Sequence, residues 1–132
     1  VMTYPRLAVL AASLAAILPA AAGEKADAPE LSGYTRTGET SSCLTVRRID
    51  STKILNDHQI LFEMSGGETW LNEPSCAGLS SHVALAYEVH AGQICDTTIV
   101  TLVEPADGLN SVRGSCALSK FEKLERKVAA AQ

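Results

Sequence analysis

Large side chains are scarce in this chain. One tryptophan, two phenylalanines and three tyrosines leave a domain short of the residues that fill a wide core. A basic excess is also missing. Eleven Lys and Arg stand against fifteen Asp and Glu, a formal net charge of −4, which argues against nucleic acid or an anionic membrane surface as the main partner. No apolar run is long enough to cross a bilayer, which takes about 20 residues. There is no internal repeat, and no low-complexity tract beyond the alanines 129–131.

Motifs that carry chemistry are equally sparse. The G-x-S-x-G elbow of a serine hydrolase is absent, and Ser41, Ser42, Ser80 and Ser81 read as loop serines. His58 follows Asp57, but adjacent residues on a strand point to opposite faces, so the pair is not expected to form an oriented dyad. Glu63, Glu68 and Glu73 flank a hairpin and read as solvated charges rather than as a glycosidase carboxylate pair. No C-x-x-C occurs, which removes the signal for thioredoxin-like redox chemistry. Cys76, His82, His90 and Cys95 lack the tight pair spacing of a structural zinc site. His82 and His90, eight residues apart on one strand, would be roughly 26 Å from each other. The expectation is therefore no catalytic residue, no metal and no cofactor.

What is present is clearest at the N-terminus. Arg6 precedes an uncharged apolar stretch at residues 7–18, Pro19 breaks it, and Ala20-Ala21-Ala22 offers small residues where a signal peptidase reads. Together these form the charged, apolar and small-residue regions of a secretory signal over residues 1–22. Gly23 rather than a cysteine stands directly after the cleavage site, so a lipid anchor is not indicated. Cleavage is expected before Gly23, leaving no stable membrane insertion and a periplasmic or secreted protein. It also removes Arg6, leaving ten basic against fifteen acidic residues. All four cysteines, Cys43, Cys76, Cys95 and Cys116, lie beyond the signal. An even number in a short exported chain reads as two disulfides.

Residues 23–41 are polar, contain Pro29, Gly33 and Gly38, and read as a flexible leader. Over residues 42–121, short apolar runs alternate with turn signals, the pattern of an all-β domain. Strand candidates begin at Cys43 and Ile54. Residues 58–64 and 68–72 flank Ser65-Gly66-Gly67 and read as a hairpin. Over residues 82–90 the alternation is clean: Val83, Leu85, Tyr87 and Val89 share one face, and His82, Ala84, Ala86, Glu88 and His90 the other. Ala91-Gly92-Gln93 turns the chain, and residues 97–103 form a β-branched strand. Residues 104–114, with Pro105, Gly108 and Gly114, read as a long loop before a last short strand at Cys116. The tail, residues 122–132, is expected to be a short helix or disordered, because Phe121, Leu124 and Val128 have helical spacing.

The expected fold is thus all-β, a compact antiparallel small barrel or rolled sheet of five to seven strands, disulfide-stapled, with a short C-terminal helix. Four cysteines allow three pairings. If Cys43 opens the first strand and Cys116 the last, a closed sheet brings these two together and leaves Cys76 to pair with Cys95. Pairing Cys43 with Cys76 and Cys95 with Cys116 is the competing arrangement. Trp70 serves either as a recognition anchor or as core. With Ser65, Gly66 and Gly67 it marks the candidate binding surface.

The order Cys43-Leu44, Arg48-Ile49-Asp50, Asp57, Ile60-Leu61-Phe62, Gly66-Gly67, Trp70-Leu71-Asn72, Cys76-x-Gly78-Leu79, Cys95-Asp96, Cys116-x-Leu118-x-x-Phe121 resembles a family of small exported proteobacterial proteins classed only as a domain of unknown function. The resemblance covers about residues 42–121, with Ser119 where the family has glycine. It implies export and a shared fold, and no activity. The architecture is also similar to that of periplasmic inhibitors of lysozyme, whose Ser-Gly-x-x-Tyr loop is one residue shorter than Ser65-Gly66-Gly67-Glu68-Thr69-Trp70. The expected function is a non-enzymatic periplasmic accessory or binding domain, meeting an envelope protein or a cell-wall component. The alternative is a secreted inhibitor of a cell-wall hydrolase such as lysozyme.

Overall fold

Strands dominate the computed structural model, which describes Met2, Ala12, Ser13, Ala15, residues 25–106 and residues 109–127. The expected export signal, residues 1–22, lies outside the described residues but for four positions, and so does the end of the expected tail, residues 128–132. Among the described residues no helix is long and apolar enough to cross a membrane.

Ten strands form among the described residues: β1 (Tyr34–Ser41), β2 (Cys43–Thr45), β3 (Ile49–Ile54), β4 (Ile60–Met64), β5 (Thr69–Asn72), β6 (Ala84–Tyr87), β7 (Gln93–Cys95), β8 (Ile99–Ala106), β9 (Leu109–Ala117) and β10 (Phe121–Arg126). All pairs are antiparallel. A five-stranded sheet runs β1-β10-β5-β4-β3, a two-stranded sheet pairs β2 with β7, and a three-stranded sheet runs β6-β8-β9. The chain is all-β and carries two disulfides, as expected from its patterning. The three sheets stay separate, so the expected closed barrel does not form, and the strands outnumber the expected five to seven.

The hairpin at Ser65-Gly66-Gly67 forms as the sequence predicts. Gly66 and Gly67 take φ of 92° and 91°, a left-handed backbone that costs a glycine little. Glu68 accepts from the Met64 N–H at 2.8 Å. A second tight turn lies at Ala91-Gly92, where both residues have positive φ and the Gln93 N–H donates to His90 at 3.0 Å. That is the backbone of a two-residue hairpin loop.

Strands β4 and β5 are buried on both faces, and the fold has two apolar clusters in consequence. Ile60, Phe62, Met64, Trp70 and Phe121 pack inward against Leu44 and Ile94 of the two-stranded sheet, Val100 and Leu102 of β8, and Leu79 and Leu118 of loops. Phe62 and Phe121 meet edge to face at 5.4 Å. On the opposite face of the large sheet, Leu61, Leu71 and Leu124 are covered by Leu31, which sits on a 3₁₀ turn at Pro29–Gly33.

Several expectations are corrected. Residues 34–41 are not a flexible leader but strand β1, paired with β10. Its side chains are mostly exposed. An edge strand held by its ladder, and by the Thr37 hydroxyl donating to the Lys123 carbonyl at 2.8 Å, needs no apolar face of its own. The fold therefore extends beyond residues 42–121 at both ends. Residues 121–126 are strand β10 rather than the start of a helical tail. Phe121 and Leu124 fall three apart because they serve opposite faces of one strand, each with its own apolar cluster. The expected loop at 104–114 belongs largely to the β8–β9 hairpin, with Glu104 opposite Ser111 and Pro105 opposite Asn110. Pro105 lies beyond Val103, the last β8 residue paired with β6, so its missing N–H removes no bond to β6.

The disulfides join Cys43 to Cys95 and Cys76 to Cys116, neither of the two pairings favoured from the sequence. The error follows from the outer strands. β1 and β10 lie beyond Cys43 and Cys116 and pair with each other, so Cys43 and Cys116 do not open and close the fold. Short β2 instead places Cys43 directly opposite Cys95 on β7. Cys116 on β9 meets the loop that follows β5.

Candidate functional site

The expected binding surface divides in two. Ser65, Gly66 and Gly67 are exposed at the hairpin tip. Trp70 is 8% exposed and faces the main core, where its Nε1–H donates to Glu68 at 3.4 Å. It is core, not an anchor. The three glutamates around the hairpin also part company. Glu63 takes Ser51 and Lys53, Glu68 takes Trp70, and Glu73 takes Arg36. His82 and His90 are both exposed, His90 at the tight turn before β7.

A polar cluster ties the segment before β1 to the large sheet. The Arg36 guanidinium donates to Glu73 at 2.6 Å, to Asp27 at 2.7 Å and to Glu122 at 2.9 Å. Gln59, fully buried, accepts from the Ala28 N–H at 2.8 Å and donates to Asp27 at 2.9 Å and Glu73 at 3.2 Å. The Gln59 amide, followed by Arg36, holds the Asp27 carboxyl below its usual range. Arg36 does the same for Glu73. All of Arg36's charge is matched inside the fold, which makes this cluster a clasp.

His58 corrects the strand argument made from its neighbour. Asn56, Asp57 and His58 form a bend, with the His58 N–H donating to the Asn56 side chain at 3.0 Å. Both side chains turn to the same side, and His58 Nδ1 meets Asp57 at 2.7 Å, which lowers the Asp57 carboxyl. Among the described residues His58 Nε2 is buried without a hydrogen-bonding partner, so none of their serine or threonine hydroxyls completes a relay there.

The remaining site lies where two sheets end side by side. Among the described residues β3 is bonded only to β4, and β6 only to β8. Between these two edges lies a cavity of about 580 Å³, in the size range of ligand sites. Thr52 and Ile54 line it from β3, and Val83, Leu85 and Tyr87 from β6 and its approach. Register explains the lining. Thr52 and Ile54 sit opposite Phe62 and Ile60, and Leu85 and Tyr87 opposite Leu102 and Val100. All therefore turn toward the core side of their sheets. Ile54, Val83, Leu85 and Tyr87 pack on the main core while remaining half-buried. The core reaches the surface along this seam. Lys53 and Glu30 add opposite charges to the lining, and Lys53 already pairs with Glu63 at 3.2 Å.

A second cavity, of about 620 Å³, opens on the other side of Tyr87, over Ala86, Ile99 and Thr101. Its floor is the outward face of β6 and β8, whose strands are already paired.

No protein-family model, no curated protein and no solved structure matches the chain.

The sequence grouped Val83, Leu85 and Tyr87 on one face through their alternation. It carried no signal that this face meets Thr52 and Ile54, because that meeting depends on where two sheets stop.

Proposed function

We propose that this chain is an exported, non-enzymatic binding domain that takes a partner of the cell envelope in the seam between β3 and β6. The observation that carries this reading is the pair of unpaired strand edges flanking one apolar-lined cavity. Exposed edges are normally blunted by charge, by proline or by a covering loop. The outward residues of β6 are Ala84 and Ala86, which do none of this. Export is supported by the charged, apolar and small-residue pattern of residues 1–22, by two disulfides, and by the resemblance of residues 42–121 to small exported proteins. The non-enzymatic reading rests on the lack of a catalytic motif in the sequence.

Nuclear magnetic resonance tests the site. Isotope-labelled protein is titrated with a soluble envelope extract, and the amide signals are followed by residue. The proposal expects shifts or broadening concentrated at residues 52–55 and 83–87. Changes confined to the hairpin tip at Ser65, Gly66 and Gly67, or no change, would overturn it.

A further inference from the structure

From the same seam, and resting on the reading just given, we infer the class of occupant: an extended polypeptide segment that adds as a strand between β3 and β6. Two requirements of the seam point there. The first is backbone. Each edge strand carries a row of N–H and C=O groups, half of them directed away from its only partner. Residues of both edge strands line the same cavity. A sugar ring or a compact small molecule meets one or two such groups. An extended backbone meets both rows at once, with the strand repeat of roughly 3.3 Å per residue on each side.

The second requirement is side chains. Ile54, Val83, Leu85 and Tyr87 present half-buried apolar surface on the core side of the seam. On the outer side, β6 presents Ala84 and Ala86. An added strand alternates its side chains between these two sides. Its inward positions are therefore apolar, and its outward positions small or polar. The length is set by the shorter edge, since β6 spans only Ala84–Tyr87. Such an addition would join the five-stranded and three-stranded sheets through the segment, and cover the place where the core is open. This is strand addition of the kind used by several peptide-binding domains.

The experiment selects from a pool of hexapeptides with alternating apolar (Val, Ile, Leu, Phe) and polar (Ser, Thr, Asn, Lys) positions on the intact, oxidised protein. Each enriched peptide is then remade with alternate backbone nitrogens methylated, in both phases. Methylation keeps the side chains and deletes half of the N–H donors. The expected result is at least tenfold weaker binding by both methylated forms, since alternate N–H groups donate to opposite edges. Amide hydrogen exchange at residues 50–54 and 84–87 should slow together in the complex. No enrichment, binding by either methylated form as tight as that of the unmethylated peptide, or slowed exchange at the free edge of β9 instead would overturn strand addition. If the envelope extract still perturbs residues 52–55 and 83–87 while the peptide pool gives nothing, the seam stands as the binding site and the polypeptide assignment falls. If neither acts there, both fall.

Discussion

Asn72 shows how a single polar side chain fixes a junction. It is fully buried at the end of β5, where its amide donates to the Ser119 carbonyl at 2.6 Å and its oxygen accepts from the Ser119 N–H at 3.0 Å. The Ser119 hydroxyl in turn accepts from the Glu73 N–H at 3.2 Å. Ser119 thus gives the turn into β10 a second hydrogen-bonding arm. Replacing Asn72 by alanine leaves Ser119's backbone groups without these partners. The expected loss is about 1–3 kcal/mol, read as a lower midpoint in chemical denaturation.

The clasp around Arg36 makes a pH prediction. Asp27 and Glu73 have carboxyls lowered from 3.8 and 4.5 in the folded chain. A lowered carboxyl stabilises the fold fully above its unfolded value, and the contribution is lost as the pH falls through the folded one. Stability should therefore decline from about pH 5 downward. Arg36→Met should flatten that decline, since it removes the charge that both carboxylates share. The side chains of Asp27 and Glu73 are 54% and 37% exposed, so each pair contributes at most about 1 kcal/mol. Urea melts of the two proteins between about pH 6 and about pH 2.5 would read the difference in slope.

At the scale of elements, the β4–β5 hairpin offers the cleanest test of a turn. No atom lies within 4 Å of a Cβ built on Gly67, so Gly67→Ala meets no steric obstacle. Its φ of 91° still charges the alanine about 1–2 kcal/mol for left-handed backbone. Thermal unfolding should show that loss without any change in the disulfides.

This hairpin was legible in the sequence because two glycines stand between clean apolar runs. The face shared by Val83, Leu85 and Tyr87 was legible through its alternation. β1 was not, because TRTGET has no apolar face and owes its order to the backbone of β10. β10 was misread because a strand buried on both faces can place Phe121 and Leu124 at helical spacing. The β8–β9 pairing was hidden because Pro105 and the nearby glycines read as loop signals, although Pro105 sits on the strand end beyond β6. The seam could not be read at all. Its walls lie some thirty residues apart in the chain, and only the order of strands within two sheets brings them together.

For the whole molecule, connectivity is the sharpest check. Peptide mapping without reduction should recover Cys43 linked to Cys95 and Cys76 linked to Cys116. A peptide linking Cys43 to Cys116 would refute the arrangement of all three sheets, because Cys43 would no longer sit opposite Cys95 on β7. Each bond should contribute about 2–4 kcal/mol to stability, so reduction should lower the unfolding midpoint substantially.

The pairing of β1 with β10 also has a consequence in time. Arg36 and Glu122 meet across 86 positions of chain, and the large sheet cannot be completed until its last strand has been made. A topology dominated by such distant contacts folds in milliseconds to seconds rather than microseconds. A chain emerging N-terminus first therefore carries residues 34–41 unpaired until β10 has been made. β5 likewise waits with one edge open for β10. The export proposed for this chain would make use of that delay, because a chain whose sheet is still open can be threaded. Ending the chain at Lys120 should hold it in that unfinished state, and refolding kinetics would show the native phase missing.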